Sequence, residues 1–323
     1  MDRFSVRSLK DTSGYASSQA AYPPRKLALL HTGAALLVSL VLTVLHYLLS
    51  RGIGTTGGLS GIGTRTVLTS LQTILQFAAS LALPFWEVGF LFCMLRLARK
   101  EPFAPRDLTA GFRRFSVLLR LMFLEFLLYS ALAFIAIQLV TLVFSLTPFS
   151  MPVMEKLSAL MRDEAFLQSG TLPPELQGEI IRYLIPVYIV SGVLFLTVGI
   201  PVFYRLRFSR YVIMDTQQPR ALAAMGISRR LTKGHCRQLF SLDLSYWWYY
   251  LLQIVIAAAA YADLLFPLLG ISMEKETAFF GTFAIHLLLS LLLAWRCRAG
   301  VDGTYACFYL QLQTPENLQL PPS

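Results

Sequence analysis

The chain has 323 residues, of which 55% are hydrophobic and only 14% are charged, and its mean hydropathy is +0.59. A soluble globular protein carries about 25% charged residues, so this composition excludes an ordinary soluble domain and favours a protein that lies in lipid. The formal net charge of +10 would suit nucleic acid as well as a membrane. The positions of the cations along the chain decide between these two partners.

The N-terminal segment, residues 1–26, is polar and ends in Pro23 and Pro24, followed directly by an apolar run. This composition predicts a mobile cytoplasmic tail. The apolar run is of spanning length and lacks a clear small-x-small cleavage site, so we expect a signal anchor and not a cleaved signal peptide.

Apolar windows of spanning length recur along the rest of the chain. A membrane-spanning helix needs roughly 20 mostly apolar residues. We therefore predict an all-α, polytopic membrane helix bundle of about six transmembrane helices within an integral membrane domain at 27–312, with a cytoplasmic tail at 313–323. The six spans are expected at 27–49, 66–95, 115–146, 184–204, 247–271 and 278–295.

The cations follow the alternation of these spans. If both termini lie inside the cell, all but six of the 28 Lys and Arg residues fall in inner segments. The six outer ones are Arg51, Arg65, Lys156, Arg162, Arg182 and Lys275. Short loops rich in Lys and Arg stay in the cytoplasm, so the asymmetry predicts an N-in/C-in topology. The positive net charge is therefore explained by the topology of the chain in the membrane, and we do not expect nucleic acid as a partner.

Motifs for catalysis or for metal binding are scarce. The chain has no CxxC pair, no HExxH, no P-loop, no nucleophile elbow and no dinucleotide fingerprint. Its four cysteines all fall at or near predicted cytoplasmic ends of spans, a reducing location that disfavours disulfides. The sequence therefore predicts no metal and no other cofactor, and we do not expect an enzyme.

Two acidic residues, Glu87 and Glu125, lie within predicted spans, at comparable depth in the inner half of antiparallel neighbours. A charge in hydrocarbon costs several kcal/mol unless it is paired, protonated or hydrated. The two could share a proton or bind a cation in a small-solute or proton-coupled transporter. Alternatively, each could hydrogen-bond within the bundle or pair with an arginine such as Arg120.

The largest predicted inner loop, residues 205–246, contains a stretch of helical composition at 219–238. On a helix, Ala224, Ile227 and Leu231 fall on one side at three- and four-residue steps, which predicts a basic amphipathic helix. Such a helix is drawn to anionic phospholipid of the inner leaflet, at about 1 kcal/mol per cation near the surface. The candidate contacts with this lipid, or with an unidentified protein partner, are Arg229, Arg230, Lys233, His235 and Arg237.

An aromatic belt at 246–250 follows this helix and is typical of the headgroup boundary. Asp243, Trp247 and Trp248 are candidate hinge or cap residues at the entry to the fifth span. Asp243 could cap that helix or pair with nearby cations. Alternatively, His235 and Asp243 could form the acid/base pair of a membrane enzyme acting on lipid.

Several segments in and around this loop follow a recognisable order. They are "PFAPRDLTAGFRRF" at 102–115, "YVIMD" at 211–215, Ser228, "KGH" at 233–235, "LDLSYWW" at 242–248 and "GTYACFYLQL" at 303–312. In this order they resemble domain-of-unknown-function family 975, a group of bacterial multi-pass membrane proteins. The resemblance implies an all-helical protein of the bacterial cytoplasmic membrane and offers no active residue.

Three functional hypotheses follow. The favoured one is a non-enzymatic integral membrane protein, a helper or transport-associated bundle whose basic inner loops meet anionic lipid or a cytosolic partner. The second is a transporter that uses Glu87 and Glu125. The third is a membrane enzyme that uses His235 and Asp243.

Overall fold

A computed structural model shows a helical protein. The structure describes residues 5–53, 59–148, 151, 155–156, 158, 174–217, 220–259 and 275–313, and none of these residues forms a strand. The α-helices are α1 (Val6–Ser18), α2 (Pro24–Ile53), α3 (Leu59–Ala98), α4 (Ala110–Arg113), α5 (Phe115–Ser145), α6 (Pro174–Leu206), α7 (Ser209–Asp215), α8 (Ala221–Leu231), α9 (Cys236–Ser245), α10 (Trp247–Ala259), α11 (Lys275–Leu293) and α12 (Ala299–Leu312).

Within the part of the chain that the structure describes, five helical stretches are long and apolar enough to cross a membrane, which confirms the all-α architecture and suggests a membrane protein. They are Pro24–Leu45, Thr66–Ala98, Phe115–Ser145, Ile180–Asp215 and Gly281–Leu312. The predicted fifth span at 247–271 begins as the shorter apolar helix Trp247–Ala258, and its second half lies outside the described residues.

The chain divides into two compact units. The first combines Met1–Leu118 with Phe208–Ser323, and the second is Leu119–Arg207. In the second unit, Val140, Tyr183 and Val187 form a small buried cluster. Large apolar side chains such as Phe126 and Ile189 stay exposed, as expected of helices whose outer faces meet lipid.

The N-terminal segment differs from the predicted mobile tail, because residues 6–18 form α1. The Ser5 hydroxyl caps this helix by accepting a hydrogen bond from the Ser8 amide at 3.2 Å. Leu9, Ser13 and Ala16 are buried, and they recur at the spacing of one helix face. Helix α1 packs on α12 through this face. The face is too narrow to be recognised in a segment of mostly polar composition.

The loop after α3 folds back on that helix. A Cβ atom built at Gly89 would overlap the carbonyl oxygen of Leu108, and one built at Gly111 would overlap that of Phe85. The loop contains a 3₁₀ turn at Pro105–Thr109, where Leu108 is fully buried. Only glycine permits two backbones to approach this closely.

The predicted basic helix at 219–238 is two helices in the structure. Position 219 lies outside the described residues, and α8 ends at Leu231. The Thr232 hydroxyl donates to the Ser228 carbonyl at 2.9 Å, and Gly234 adopts a φ of +83°. A left-handed glycine of this kind ends helices, and α9 starts two residues later at Cys236.

Candidate functional site

A cluster of charged side chains lies among the candidate spans of the first unit. It joins Glu87 of α3 to Arg298, the last residue of a π-helical segment at Ala294–Arg298. The Arg298 guanidinium donates through Nη2 to Glu87 Oε2 at 2.5 Å and through Nη1 to Thr32 Oγ1 at 3.0 Å. Its Nε lies 3.7 Å from Asp302 Oδ2. One guanidinium thus serves two carboxylates.

His31 completes this cluster from α2. Its side chain is almost fully buried, at 2% exposure, and its ring packs on those of Trp86 and Phe90 at centroid distances of 5.7 and 4.9 Å. The ring nitrogen Nε2 lies 3.6 Å from Glu87 Oε2. Among the described residues neither ring nitrogen has a hydrogen-bond partner. Such a group is costly to bury unless something else bonds it.

Two cavities border the cluster. The first, which we call the Glu87 cavity, has a volume of about 290 Å³ and is lined on its polar side by His31, Thr32, Glu87, Ser290 and Arg298. The second measures about 250 Å³ and includes Tyr249, Gln253 and His286 in its lining. Both are bordered by Thr32, Ser290 and Arg298, so Arg298 is accessible from each.

The two acidic candidates fall in different units, Glu87 in the first and Glu125 in the second. Glu87 pairs with an arginine, which was one of the alternatives for these acids, but that arginine is Arg298 and not Arg120. In the sequence, Arg298 follows the predicted sixth span, where it counts only as a topology signal. The missed clue is that α12 continues that span to Leu312, which leaves Arg298 inside the helical stretch.

The candidate basic residues of the inner loop divide by exposure. Ala224, Ile227 and Leu231, the residues that were expected on one side of the helix, are buried inside the protein. Arg229, Lys233 and Arg237 are exposed, whereas Arg230 and His235 are half-buried. The His235 ring atom Nδ1 lies 2.5 Å from Gln238 Oε1. We call the three exposed cations the basic surface.

The outer face of α9 combines this charge with apolar surface. Phe240 and Leu244 of α9 are each at least half exposed, and so is Trp247 at the start of α10, where Trp248 is exposed as well. The opposite face of α9 buries Leu239 and Leu242. The helix is therefore buried on one side while it presents aromatic and aliphatic groups next to Arg237 on the other.

Asp243 is fixed by tyrosines. Its Oδ1 accepts hydrogen bonds from the Tyr250 hydroxyl at 3.3 Å and from the Tyr305 hydroxyl, and these two hydroxyls are 2.9 Å apart. Nearby, the Tyr246 hydroxyl bonds to that of Thr304 at 2.9 Å, and burial raises the pKa of Tyr246. Asp243 thus ties α9 to α10 and α12.

This geometry disfavours His235 and Asp243 as an acid/base pair. His235 precedes the first residue of α9 and Asp243 lies two turns further on, which separates them by about 12 Å along the axis. The described hydrogen bonds of the two side chains go to different partners.

A second aspartate of the family-like segments is bound in the same manner. Asp215 at the end of α7 lies 2.5 Å from the Arg99 guanidinium. It also accepts hydrogen bonds from the Tyr309 hydroxyl at 3.2 Å and from the Gln313 amide at 2.5 Å. Sequence reasoning did not single out Tyr305 or Tyr309, because only the fold brings "GTYACFYLQL" against "YVIMD" and "LDLSYWW".

Comparison with known proteins identifies the family of the chain but assigns no function to it. The family described as "Protein of unknown function (DUF975)" matches residues 26–315, and the chain belongs to it. No curated protein and no solved structure matches the chain.

Proposed function

We propose that this DUF975 protein is a non-enzymatic, multi-pass protein of the bacterial cytoplasmic membrane whose basic surface binds anionic phospholipid of the inner leaflet. Both termini lie inside the cell in this proposal. The observation that supports it best is the pairing of exposed cations with exposed apolar side chains between the end of α8 and the start of α10.

The two kinds of side chain suit the two layers of a membrane boundary. Phe240, Leu244 and Trp247 have the amphipathic or apolar character that enters the headgroup region, while Arg229, Lys233 and Arg237 have the charge that attracts acidic headgroups. Three cations at about 1 kcal/mol each give an upper limit of about 3 kcal/mol of preference for anionic lipid at low salt. Screening reduces this preference as ionic strength rises.

The non-enzymatic part of the proposal draws support from Asp243. An aspartate that accepts two tyrosine hydroxyls between three helices has a structural use for its charge. A catalytic acid or base would have to be within reach of a reacting group.

Lipid preference can be measured by quenching of tryptophan fluorescence with brominated lipids. In a Trp86→Phe/Trp295→Phe background, the remaining tryptophans are Trp247 and Trp248 of the belt. The full chain is reconstituted with brominated phosphatidylglycerol or with brominated phosphatidylcholine. We expect stronger quenching by the anionic lipid, and we expect the difference to shrink in high salt.

Charge variants separate electrostatics from packing. Changing Arg229, Lys233 and Arg237 together to Gln should reduce the preference for the anionic lipid at least tenfold at low salt. The matched control, Arg229→Lys/Lys233→Arg/Arg237→Lys, keeps the charge and should keep the preference. Equal quenching by both lipids in the background protein would contradict the proposal, and a purified complex in which a cytosolic protein covers these cations would assign the surface to that partner.

Topology has its own test. A reporter fused after Thr277 is expected on the outer side of the membrane, because the N-in/C-in arrangement places the loop before the last span outside. A cytoplasmic location of this reporter would overturn the proposed orientation.

A small-solute or proton-coupled transporter is the second candidate. The Glu87 cavity favours it, since an acidic residue that borders a cavity among spans is a common element of ion pathways. In proteoliposomes with an imposed pH gradient, Glu87→Gln should abolish any proton flux that the native chain supports. Glu101→Gln, at an exposed carboxylate paired with Arg96, should leave it unchanged.

A further inference from the structure

The lining of the Glu87 cavity includes polar and apolar residues, which we call its polar and its apolar side. Glu87, His31, Thr32 and Ser290 form the polar side, together with Arg298. The other side consists of Ala35, Leu36, Leu83 and Trp86. This division suits a small molecule with one polar end and a short hydrocarbon part.

The cavity is larger than a bare ion requires. A water molecule takes about 30 Å³ of liquid, so the volume of about 290 Å³ corresponds to roughly ten waters. A proton or a single metal ion would leave most of this space unfilled. An organic molecule of several heavy atoms fits it.

The charges around the cavity favour a cation at the polar end. Arg298 faces two carboxylates, Glu87 at 2.5 Å and Asp302 at 3.7 Å, so negative charge is in excess in the immediate cluster. Arg210 also acts on Glu87, from farther away, and offsets this excess in part. A cation that reaches Glu87 would share this carboxylate with Arg298 and would balance the excess.

The acceptors at the polar end match an ammonium group. An ammonium donates three hydrogen bonds, and a carboxylate offers about four lone-pair sites. Thr32 and Ser290 supply hydroxyl oxygens, and the buried His31 ring supplies a nitrogen that has no hydrogen-bond partner among the described residues.

We propose that the Glu87 cavity is a binding site for a small primary ammonium ion with a short hydrocarbon group. The ammonium bonds to Glu87 and to His31, Thr32 or Ser290, and the hydrocarbon part packs on Leu83 and Trp86. The site is separate from the basic surface, and the inference holds whether or not the bound molecule crosses the membrane.

The test uses the full chain in lipid nanodiscs and isothermal titration calorimetry. The probe is n-butylammonium, with butyrate and n-butanol as controls of similar size but negative or no charge. We expect saturable binding of one n-butylammonium per chain and at least tenfold weaker binding of both controls. Butyrate binding as tightly as n-butylammonium, or absence of n-butylammonium binding, would overturn the proposal.

Two variants locate the binding. Glu87→Gln should weaken n-butylammonium at least tenfold, whereas Glu101→Gln should not change it. Ala35→Leu fills part of the cavity and leaves Glu87 in place, so it should also weaken the binding of n-butylammonium. If the Glu87→Gln protein does not fold, this variant provides the test of the site. Unchanged affinity in a folded Glu87→Gln protein, or in Ala35→Leu, would refute the site.

Discussion

The ion pair between Glu87 and Arg298 should be measurable as a coupling energy. Arg298 serves Glu87, Thr32 and Asp302 at once, so Arg298→Gln leaves two carboxylates without their cation. Breaking a buried ion pair costs about 3–5 kcal/mol. Glu87 borders a cavity and its side chain is 36% exposed, so water offsets part of this penalty. We expect a loss of about 2–3 kcal/mol in the free energy of unfolding.

Glu87→Gln should cost less, because the amide oxygen still accepts a hydrogen bond from Arg298 and Asp302 still opposes the guanidinium. The expected loss is about 1–2 kcal/mol. In the double variant two neutral amides face each other, so its loss should fall below the sum of the single losses by at least about 1 kcal/mol.

A double-mutant cycle measured by denaturant titration in mixed lipid and detergent micelles, followed by circular dichroism, tests this reasoning. The exposed pair Arg96 and Glu101, at 3.5 Å, is the matched control and should couple by less than about 1 kcal/mol. Losses at Glu87 and Arg298 that add to within about 0.5 kcal/mol would refute the pairing.

Three further predictions concern the scaffold, each measured by thermal unfolding or proteolysis of the full chain. Gly89→Ala should lower the free energy of unfolding by at least about 3 kcal/mol, because the added Cβ atom would overlap the backbone of Leu108. Gly226→Ala, at a position of α8 with open space around it, should leave the stability unchanged or raise it. Asp243→Asn should lower the free energy of unfolding by about 1–3 kcal/mol, because it weakens the hydrogen bonds to tyrosine, while Asp11→Asn at an exposed position of α1 should change it very little. Leu9→Ala should release α1 and speed its cleavage by trypsin, and an unchanged rate would contradict the docking.

The membrane-spanning part of the fold was predictable because it depends on local composition. The apolar windows at 115–146 and 66–95 match the stretches Phe115–Ser145 and Thr66–Ala98 closely, since a run of apolar residues long enough to span has few alternatives to a helix in lipid. The short helix α1 was not predictable in this way. Its buried face is only three residues wide, and its partner, α12, is far away in the chain.

The break at Gly234 shows where local and tertiary signals compete. Helical periodicity continues across residues 219–238, and a single glycine costs an isolated helix only about 1 kcal/mol. In the folded chain Ser228 accepts a hydrogen bond from the Phe208 amide at 3.2 Å, and Leu231 and Leu239 are both fully buried. The break lets both leucines pack inward, and this long-range requirement is not visible in the sequence.

The residues of the family-like segments and those of the Glu87 cavity form different sets. Asp215 and Asp243 lie in those segments and bind tyrosines of α12, whereas Glu87, His31 and Arg298 lie outside them. The resemblance of these segments therefore reflects the packing of α7 and α9 against α12 and gives no information on the cavity. If this separation is correct, folded Asp243→Asn protein should bind n-butylammonium with native affinity although it unfolds more readily, and Glu87→Gln should lose affinity by more than its loss of stability explains.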